Sequence, residues 1–230
     1  MSDAAYRDRL TRIETYFDRT AVRAWEQMTS DAPLGRIRAT VRAGRERMRA
    51  EILSMLPEDL SGRRILDAGC GTGALAVEAA RRGADVVAID LSPKLVALAR
   101  HRAPKDLVRR LDFHVGDLAD EALGGFDYVI AMDVLIHYPM TDAVATLKDL
   151  GARTRHSLLF TFAPRTPLLA TMHAVGKLFP RSDRSPAIEP VAERALRDAL
   201  ARSVPAFEAC RSSRVTSGFY ISQVMELVRP

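Results

Sequence analysis

Ile65-Leu66-Asp67-Ala68-Gly69-Cys70-Gly71-Thr72-Gly73 joins an apolar run to a helical one through a turn with almost no side chains. Ile65 and Leu66 read as the end of a buried parallel strand, because a strand covered on both faces is continuously apolar rather than alternating. The glycines permit positive φ and let a ligand approach the backbone. Ala74 to Arg82 reads as the following helix, whose unpaired N–H groups favour a polar or anionic ligand group. Strand, turn and helix together make a cradle for a nucleotide-like ligand. The spacing also satisfies Gly-x-Gly-x-x-Ala through Gly69, Gly71 and Ala74, so the glycines alone leave a dinucleotide open. Asp67 decides between the two, since a carboxylate so close to the turn repels a pyrophosphate and suits a cationic ligand.

On either side of this turn, strands and helices alternate. Ile65 to Ala68, Val86 to Asp90, Asp112 to Val115, Tyr128 to Met132 and Leu158 to Phe162 read as strands. Between them, Ala74 to Arg82, Pro93 to Arg102 and Asp142 to Leu150 read as helices. The class is α/β, a doubly wound parallel sheet. Ala192 to Arg202 then reads as helix, and Phe207 to Ser213 and Gly218 to Val228 as a terminal strand pair.

Two amphipathic helical stretches precede the sheet. Tyr6, Leu10, Ile13 and Phe17 form one apolar stripe, and Val41, Met48, Ile52 and Met55 another, with a break at Ser30 to Gly35. The chain therefore divides into a helical arm over 1–60 and an α/β domain over 61–230. Residues 163–189, rich in Pro, Arg and Lys, are too long for a plain connection and read as a substrate-side insertion or lid at the carboxyl edge of the sheet. Ligands of such sheets bind across that edge.

The composition suits one globular α/β domain with additions: 230 residues, 47% hydrophobic and 27% charged. No apolar run reaches the ~18 residues of a membrane span, and the polar start, Met1 to Arg7, is unlike a secretory leader. Cys70 and Cys210 have no metal-ligand spacing, so no metal site is expected, and reduced thiols fit a cytoplasmic protein. Positive charge is concentrated: Arg36 to Arg49 holds six arginines against Glu46 alone. That face reads as solvated helix surface, or as a contact for an anionic substrate or an acidic lipid surface. Nucleic acid is not expected, because no binding motif accompanies the charge and aromatics are 6% of the chain.

Asp67-x-Gly69-x-Gly71-x-Gly73 resembles the first motif of the class I S-adenosylmethionine-dependent methyltransferases. The resemblance implies a seven-stranded, mostly parallel Rossmann-like sheet, and an acid and glycine turn (Asp67, Gly69, Cys70, Gly71, Gly73) holding the amino-acid end of the cofactor. Asp90, ending the second strand, is placed to accept from both ribose hydroxyls, with Leu91 flanking adenine. Asp117 resembles the acid that receives the adenine amino group, with Leu118 beside it. Met132 and Asp133 follow the fourth strand, where the family closes one side of the cofactor and begins the acceptor pocket.

Further stretches are similar to one subfamily, the Mg-protoporphyrin IX O-methyltransferases of chlorophyll and bacteriochlorophyll synthesis. They are Tyr16 to Thr20 with Trp25, Val41 to Arg45, Asp133 to Tyr138, Ala163 to Thr166, Lys177 to Pro186 and Gly218 to Ser222. The resemblance implies methyl transfer from S-adenosylmethionine to a propionate of Mg-protoporphyrin IX, leaving S-adenosylhomocysteine. It also implies contact with the magnesium-inserting chelatase and a place at the surface of photosynthetic membranes. His137 is the leading catalytic candidate, as an orienter of the propionate, a base, or a neighbour of the porphyrin magnesium, and orientation is favoured because a propionate is already ionised at neutral pH. Related sequences often carry a tyrosine shortly after the arm tryptophan, where Thr29 and Ser30 stand here, which leaves Tyr138 as the candidate phenol. Tyr16, Phe17, Trp25 and Met28 are candidates for an apolar porphyrin cleft, and Arg45, Arg165, Lys177, Arg181 and Arg184 for the propionates. Two other readings stand beside this one: an O-methyltransferase for another small acceptor such as a quinone precursor, and a cofactor-binding regulatory module at a membrane surface.

Overall fold

The computed structural model describes residues 3–20, 35–165 and 188–230, with side chains described within 7–18, 35–165 and 188–230. Seven strands form one sheet: β1 (Arg64–Ala68), β2 (Asp85–Asp90), β3 (Leu111–Val115), β4 (Phe126–Ala131), β5 (Thr154–Phe162), β6 (Glu208–Ser217) and β7 (Tyr220–Val228). Their order is β3-β2-β1-β4-β5-β7-β6. The first five pair parallel, while β7 runs antiparallel to both β5 and β6. Strand order reverses at β1, between β2 and β4, and that switch point opens the crevice in which such sheets bind ligands.

The helices are α1 (Asp3–Thr15), continued by one π-turn (Tyr16–Thr20), then α2 (Arg36–Ser54), α3 (Ala74–Arg81), α4 (Pro93–Arg102), α5 (Met140–Ala152) and α6 (Glu193–Ser203). Successive strand residues point to opposite faces, so two cores form. Leu66, Val87, Val129, Leu158 and Phe160 meet Leu147, Leu150, Leu196 and Leu200 of α5 and α6 on one face. Ile65, Val86, Ile130, Leu159 and Val224 meet α2, α3 and α4 on the other, through Met48, Ile52, Ala76, Ala79, Val96 and Ala99. The alanines of α3 let that helix lie close to the strands. Helix α2 approaches the terminal hairpin as closely through Gly44, where a Cβ would stand 2.5 Å from the Tyr220 ring.

Two strands are longer than their hydrophobic pattern suggests. Strand β5 begins at Thr154 rather than Leu158, since Thr154 and Ser157 are buried polar positions that interrupt the apolar run. Strand β6 runs to Ser217 rather than Ser213. Its partners on β7 hold it by backbone pairing, while exposed Arg211, Arg214 and Thr216 give it no apolar alternation.

The first helix is fastened at two points. Arg9 pairs with Asp142 at the start of α5. Asp18 accepts from the Ser92 hydroxyl at 3.1 Å and the Lys94 N–H at 3.2 Å, and the Lys94 ammonium reaches the Asp18 carbonyl at 2.8 Å. Burial works against ionisation of Asp18, but these donors outweigh it and hold its carboxyl below the usual range. The contact lies two residues beyond Asp90, so the first helical segment is anchored beside the crevice.

Candidate functional site

The turn after β1 is tied to the end of β2: the N–H groups of Gly69 and Cys70 both donate to the Ile89 carbonyl, at 2.8 and 2.9 Å. Gly69 has φ +83°, and a Cβ there would lie 2.1 Å from the Val134 side chain. Glycine is therefore required both by the backbone and by the chain passing over it from β4. Gly73 caps α3 with no side-chain hydrogen bond.

Asp90 braces this turn. One oxygen accepts from the Gly71 N–H at 2.9 Å and the other from the Ser92 N–H at 2.9 Å. Burial raises the Asp90 pKa and the two N–H bonds oppose the rise. Asp67 lies beneath the turn, 2% exposed, and bonds to the Ala76 backbone in the first turn of α3. Burial, and to a smaller degree the charge on Asp90, push its carboxyl up to about 7. Its Oδ2 is buried without a hydrogen-bond partner. Burial and the same two carboxyls push the Cys70 thiol far up, so it stays protonated.

Above the turn, the carboxyl ends of the strands border a cleft of about 710 Å³, part of it open to solvent. Gly69, Gly71, Asp90, Leu91, Asp117, Leu118, Met132 and Asp133 line it, whereas Asp67, Cys70 and Gly73 do not. Asp117 sits in a loop closed by its own carboxylate, which accepts from the Ala119 N–H at 3.0 Å. Arg153 grips the same loop from below by donating to the carbonyls of Leu118 and Asp120. Nothing in the sequence marks Arg153, because it binds backbone rather than a side-chain partner.

The opposite wall carries the remaining candidates. Asp133 has φ +57°, and it is the non-glycine residue with positive φ among the described residues. Its carboxylate pairs with Arg45 at 2.5 Å and accepts from the Tyr220 phenol at 3.0 Å and from Ser222 and Thr161 at 3.3 Å. Asp133 lines the cleft, and its side chain is held in this network. Arg45, expected to hold a propionate, lines the cleft with one N–H already on Asp133. Tyr220, Ser222 and Thr161 were not singled out as site residues. The only available signal was that the first two belong to the Gly218 to Ser222 stretch.

His137 ends a 3-10 turn at Leu135–His137 and faces the cleft, with the Phe17 ring 6.0 Å away. Tyr138 borders the cleft but is 1% exposed, with the Arg9 guanidinium 5.8 Å from its ring. Tyr16 meets Phe17 edge to face at 5.2 Å and does not line the cleft itself. Arg165 is exposed and pairs by its backbone N–H with Val191, outside the cleft lining. Trp25, Met28, Lys177, Arg181 and Arg184 lie outside the described residues. Among those described, no group of three or more His, Cys, Asp or Glu could hold a metal.

Residues 131–229 match the family model of the magnesium-protoporphyrin IX methyltransferase C-terminus, and residues 65–156 match a general methyltransferase domain. Over 222 residues the chain is 50% identical to the magnesium-protoporphyrin O-methyltransferase of Rhodobacter capsulatus, covering 96% of this chain and 97% of that one. The chain belongs to the magnesium-protoporphyrin methyltransferase family. A Synechocystis family member is 32% identical over the full length of both chains. The crystal structure of magnesium protoporphyrin IX methyltransferase from Synechocystis PCC 6803 with bound SAH has a TM-score of 0.85 at 30% identity, covering 96% of this chain and 99% of that one. The seven-stranded sheet is thus the class I methyltransferase fold.

The described residues fit an S-adenosyl ligand. The missing side chain of Gly71 faces space with no atom within 4 Å, which leaves room for a ligand against the backbone. Asp67, buried beneath the turn and outside the cleft lining, would favour a cationic ligand head by its charge through the turn and not by direct contact. Asp90 and Asp117 stand with apolar Leu91 and Leu118 along one wall, offering acceptors for hydroxyl and amino groups between surfaces for a flat ring.

Proposed function

We propose that this chain transfers the methyl group of S-adenosylmethionine to a propionate carboxylate of Mg-protoporphyrin IX, forming the monomethyl ester and S-adenosylhomocysteine. The likeness to family members carries this reading, because it runs through the acceptor side as well as the cofactor turn. The bound cofactor supplies an activated methyl as a sulfonium.

The acceptor carboxylate is ionised at neutral pH, so the chain need not remove a proton. Its work is alignment, which alone can lower the barrier by roughly 7 to 11 kcal/mol. The turn at Gly69 to Gly73 and the carboxylates Asp90 and Asp117 hold the cofactor, with Asp67 beneath favouring its cationic end. His137 orients the acceptor from the opposite wall, and Phe17 beside it helps keep water out.

Incubation with methyl-labelled S-adenosylmethionine and Mg-protoporphyrin IX, followed by identification of the pigment, tests the reading. Labelled monomethyl ester is expected. Label on a quinone precursor, or none on the porphyrin, would overturn the substrate.

Peripheral attachment to an anionic membrane and contact with the magnesium-inserting chelatase belong to the same reading. Exposed Arg36, Arg38 and Arg47 on α2, with the exposed apolar side chains of Ile37 and Phe219, support the first. No helix among the described residues is long and apolar enough to cross a membrane. Salt-sensitive binding to anionic liposomes is expected, and equal binding to neutral liposomes would argue against it.

A further inference from the structure

The cleft has an unbalanced set of charges for an enzyme whose acceptor is an anion. Its described lining carries four carboxylates, Glu14, Asp90, Asp117 and Asp133, and one guanidinium, Arg45. Among the described lining residues, the guanidinium of Arg45 is the permanent positive charge that an acceptor bearing two carboxylates would meet. Arg45 is therefore where anion recognition must centre among these residues.

The mounting of Arg45 is equally specific. Its Nη1 lies 2.5 Å from Asp133 Oδ2, with the two side chains 23% and 5% exposed. Asp133 is fixed in turn from three directions. The Tyr220 phenol stands 3.0 and 3.1 Å from its two oxygens, and the Ser222 and Thr161 hydroxyls stand 3.3 Å from Oδ1. Thr161 Oγ1 also accepts from the Asp133 N–H at 2.7 Å, which secures the left-handed backbone. Burial, followed by the charge of Asp133, raises the Tyr220 pKa, so the phenol remains a donor. Two strands and a helix thus converge on one carboxylate whose partner faces the cleft. A guanidinium is a planar fork of N–H donors that matches carboxylate geometry, and this one is held at the cleft by Asp133.

We propose that Arg45 clamps the acceptor carboxylate that is not methylated, and that Asp133, held by Tyr220, Ser222 and Thr161, is its positioning residue. The choice of carboxylate follows from reactivity, since charge-assisted hydrogen bonds to the attacking oxygen would draw away the electron pair that forms the new bond. The proposal rests on the carboxyl-acceptor reading above. It assigns the Asp133 side chain to the acceptor side of the stretch that meets both cofactor and acceptor.

Three acceptors separate the possibilities: Mg-protoporphyrin IX, its monomethyl ester and its dimethyl ester, with two, one and no free carboxylates. Binding is followed by fluorescence, and cofactor affinity by calorimetry in the same variants. Arg45→Ala should weaken the diacid and monoester alike by about 10- to 100-fold, the range for a charge-assisted hydrogen bond, and leave the dimethyl ester unchanged. Arg45→Lys should recover part of the loss, since it restores charge without the fork. Tyr220→Phe keeps the ring against Gly44 and should raise the acceptor KM several-fold, with kcat and cofactor affinity nearly unaltered. Asp133→Asn should behave in the same way.

Equal weakening of all three acceptors would reduce Arg45 to a structural role and overturn the clamp. Weakening of the diacid alone would place Arg45 on the reacting carboxylate, which also overturns it. Loss of cofactor binding in Asp133→Asn would return Asp133 to the cofactor. If wild type forms no ester at all, the substrate reading fails and takes the clamp with it. If ester forms and Arg45→Ala binds all three acceptors like wild type, the clamp fails alone.

Discussion

The two walls of the cleft are built by opposite means. On the wall proposed for the cofactor, carboxylates grip backbone: Asp90 reaches Gly71 N–H across 19 residues and Ser92 N–H across two, and Asp117 reaches Ala119 across two. On the wall proposed for the acceptor, side chains grip side chains from distant elements: Asp133 reaches Arg45 across 88 residues, Tyr220 across 87 and Ser222 across 89. A backbone-bonded wall depends on local chain geometry and tolerates change elsewhere. A side-chain network depends on the whole fold being assembled and can change its acceptor by exchanging a few residues. The contrast fits a common cofactor cradle combined with a specialised acceptor wall.

The largest break is expected on the local wall. Asp90→Ala should weaken S-adenosylmethionine binding by about 100-fold or more in calorimetry, since charge-assisted hydrogen bonds contribute about 1.5–3 kcal/mol each. Unchanged affinity would remove Asp90 from the cofactor. On the other wall, His137→Ala should lower turnover by roughly 10- to 100-fold through lost alignment, with cofactor affinity kept within twofold. A matching drop in cofactor affinity would erase the division between the walls.

A smaller effect follows from Asp67. Its carboxyl, pushed up to about 7, is largely protonated below that pH, whereas a cationic ligand favours the ionised form. Cofactor affinity should therefore rise between pH 6 and 7 by up to about tenfold, level off above about 7.5, and release a proton on binding. In Asp67→Asn the rise should disappear; persistence of the same profile would assign it elsewhere. The sign for stability is the reverse. A carboxyl raised by folding favours the native state below its ordinary range, and that contribution is lost as pH climbs to about 7.

The smallest effects probe supports behind the cofactor wall. Arg153→Met removes two donors to the Leu118–Asp120 backbone and should weaken cofactor binding a few-fold without altering the acceptor KM. Ser92→Ala removes the cap of α4, a loss of about 1 kcal/mol that should show as a fall of a few degrees in melting temperature.

The same contrast explains what was legible in the sequence. Strand, glycine turn and helix are contiguous, so Gly69, Gly71 and Asp90 announce their geometry by spacing. The parallel α/β class followed from the alternation of elements and the terminal pair from two strand-like runs, while the resemblance supplied the count of seven strands. Strand β6 is shorter in pattern than in space because its edge is polar. The Asp133 network was not legible, since its partners meet only after α2, β5 and β7 are packed. A left-handed aspartate has a mild signature at best, because Asp and Asn merely tolerate that backbone better than most residues.

The two borders of the sheet carry a consequence of their own. At one end β6 presents Glu208, Arg211 and Arg214 to solvent, and at the other β3 is five residues long and carries exposed Asp112. A foreign strand seeking the unpaired backbone at either border meets charge or a short template, which disfavours strand addition. Seven strands with two nearly dry faces would otherwise be a seed for aggregation. The polarity that obscures β6 as a strand helps keep the folded chain from polymerising through its edge.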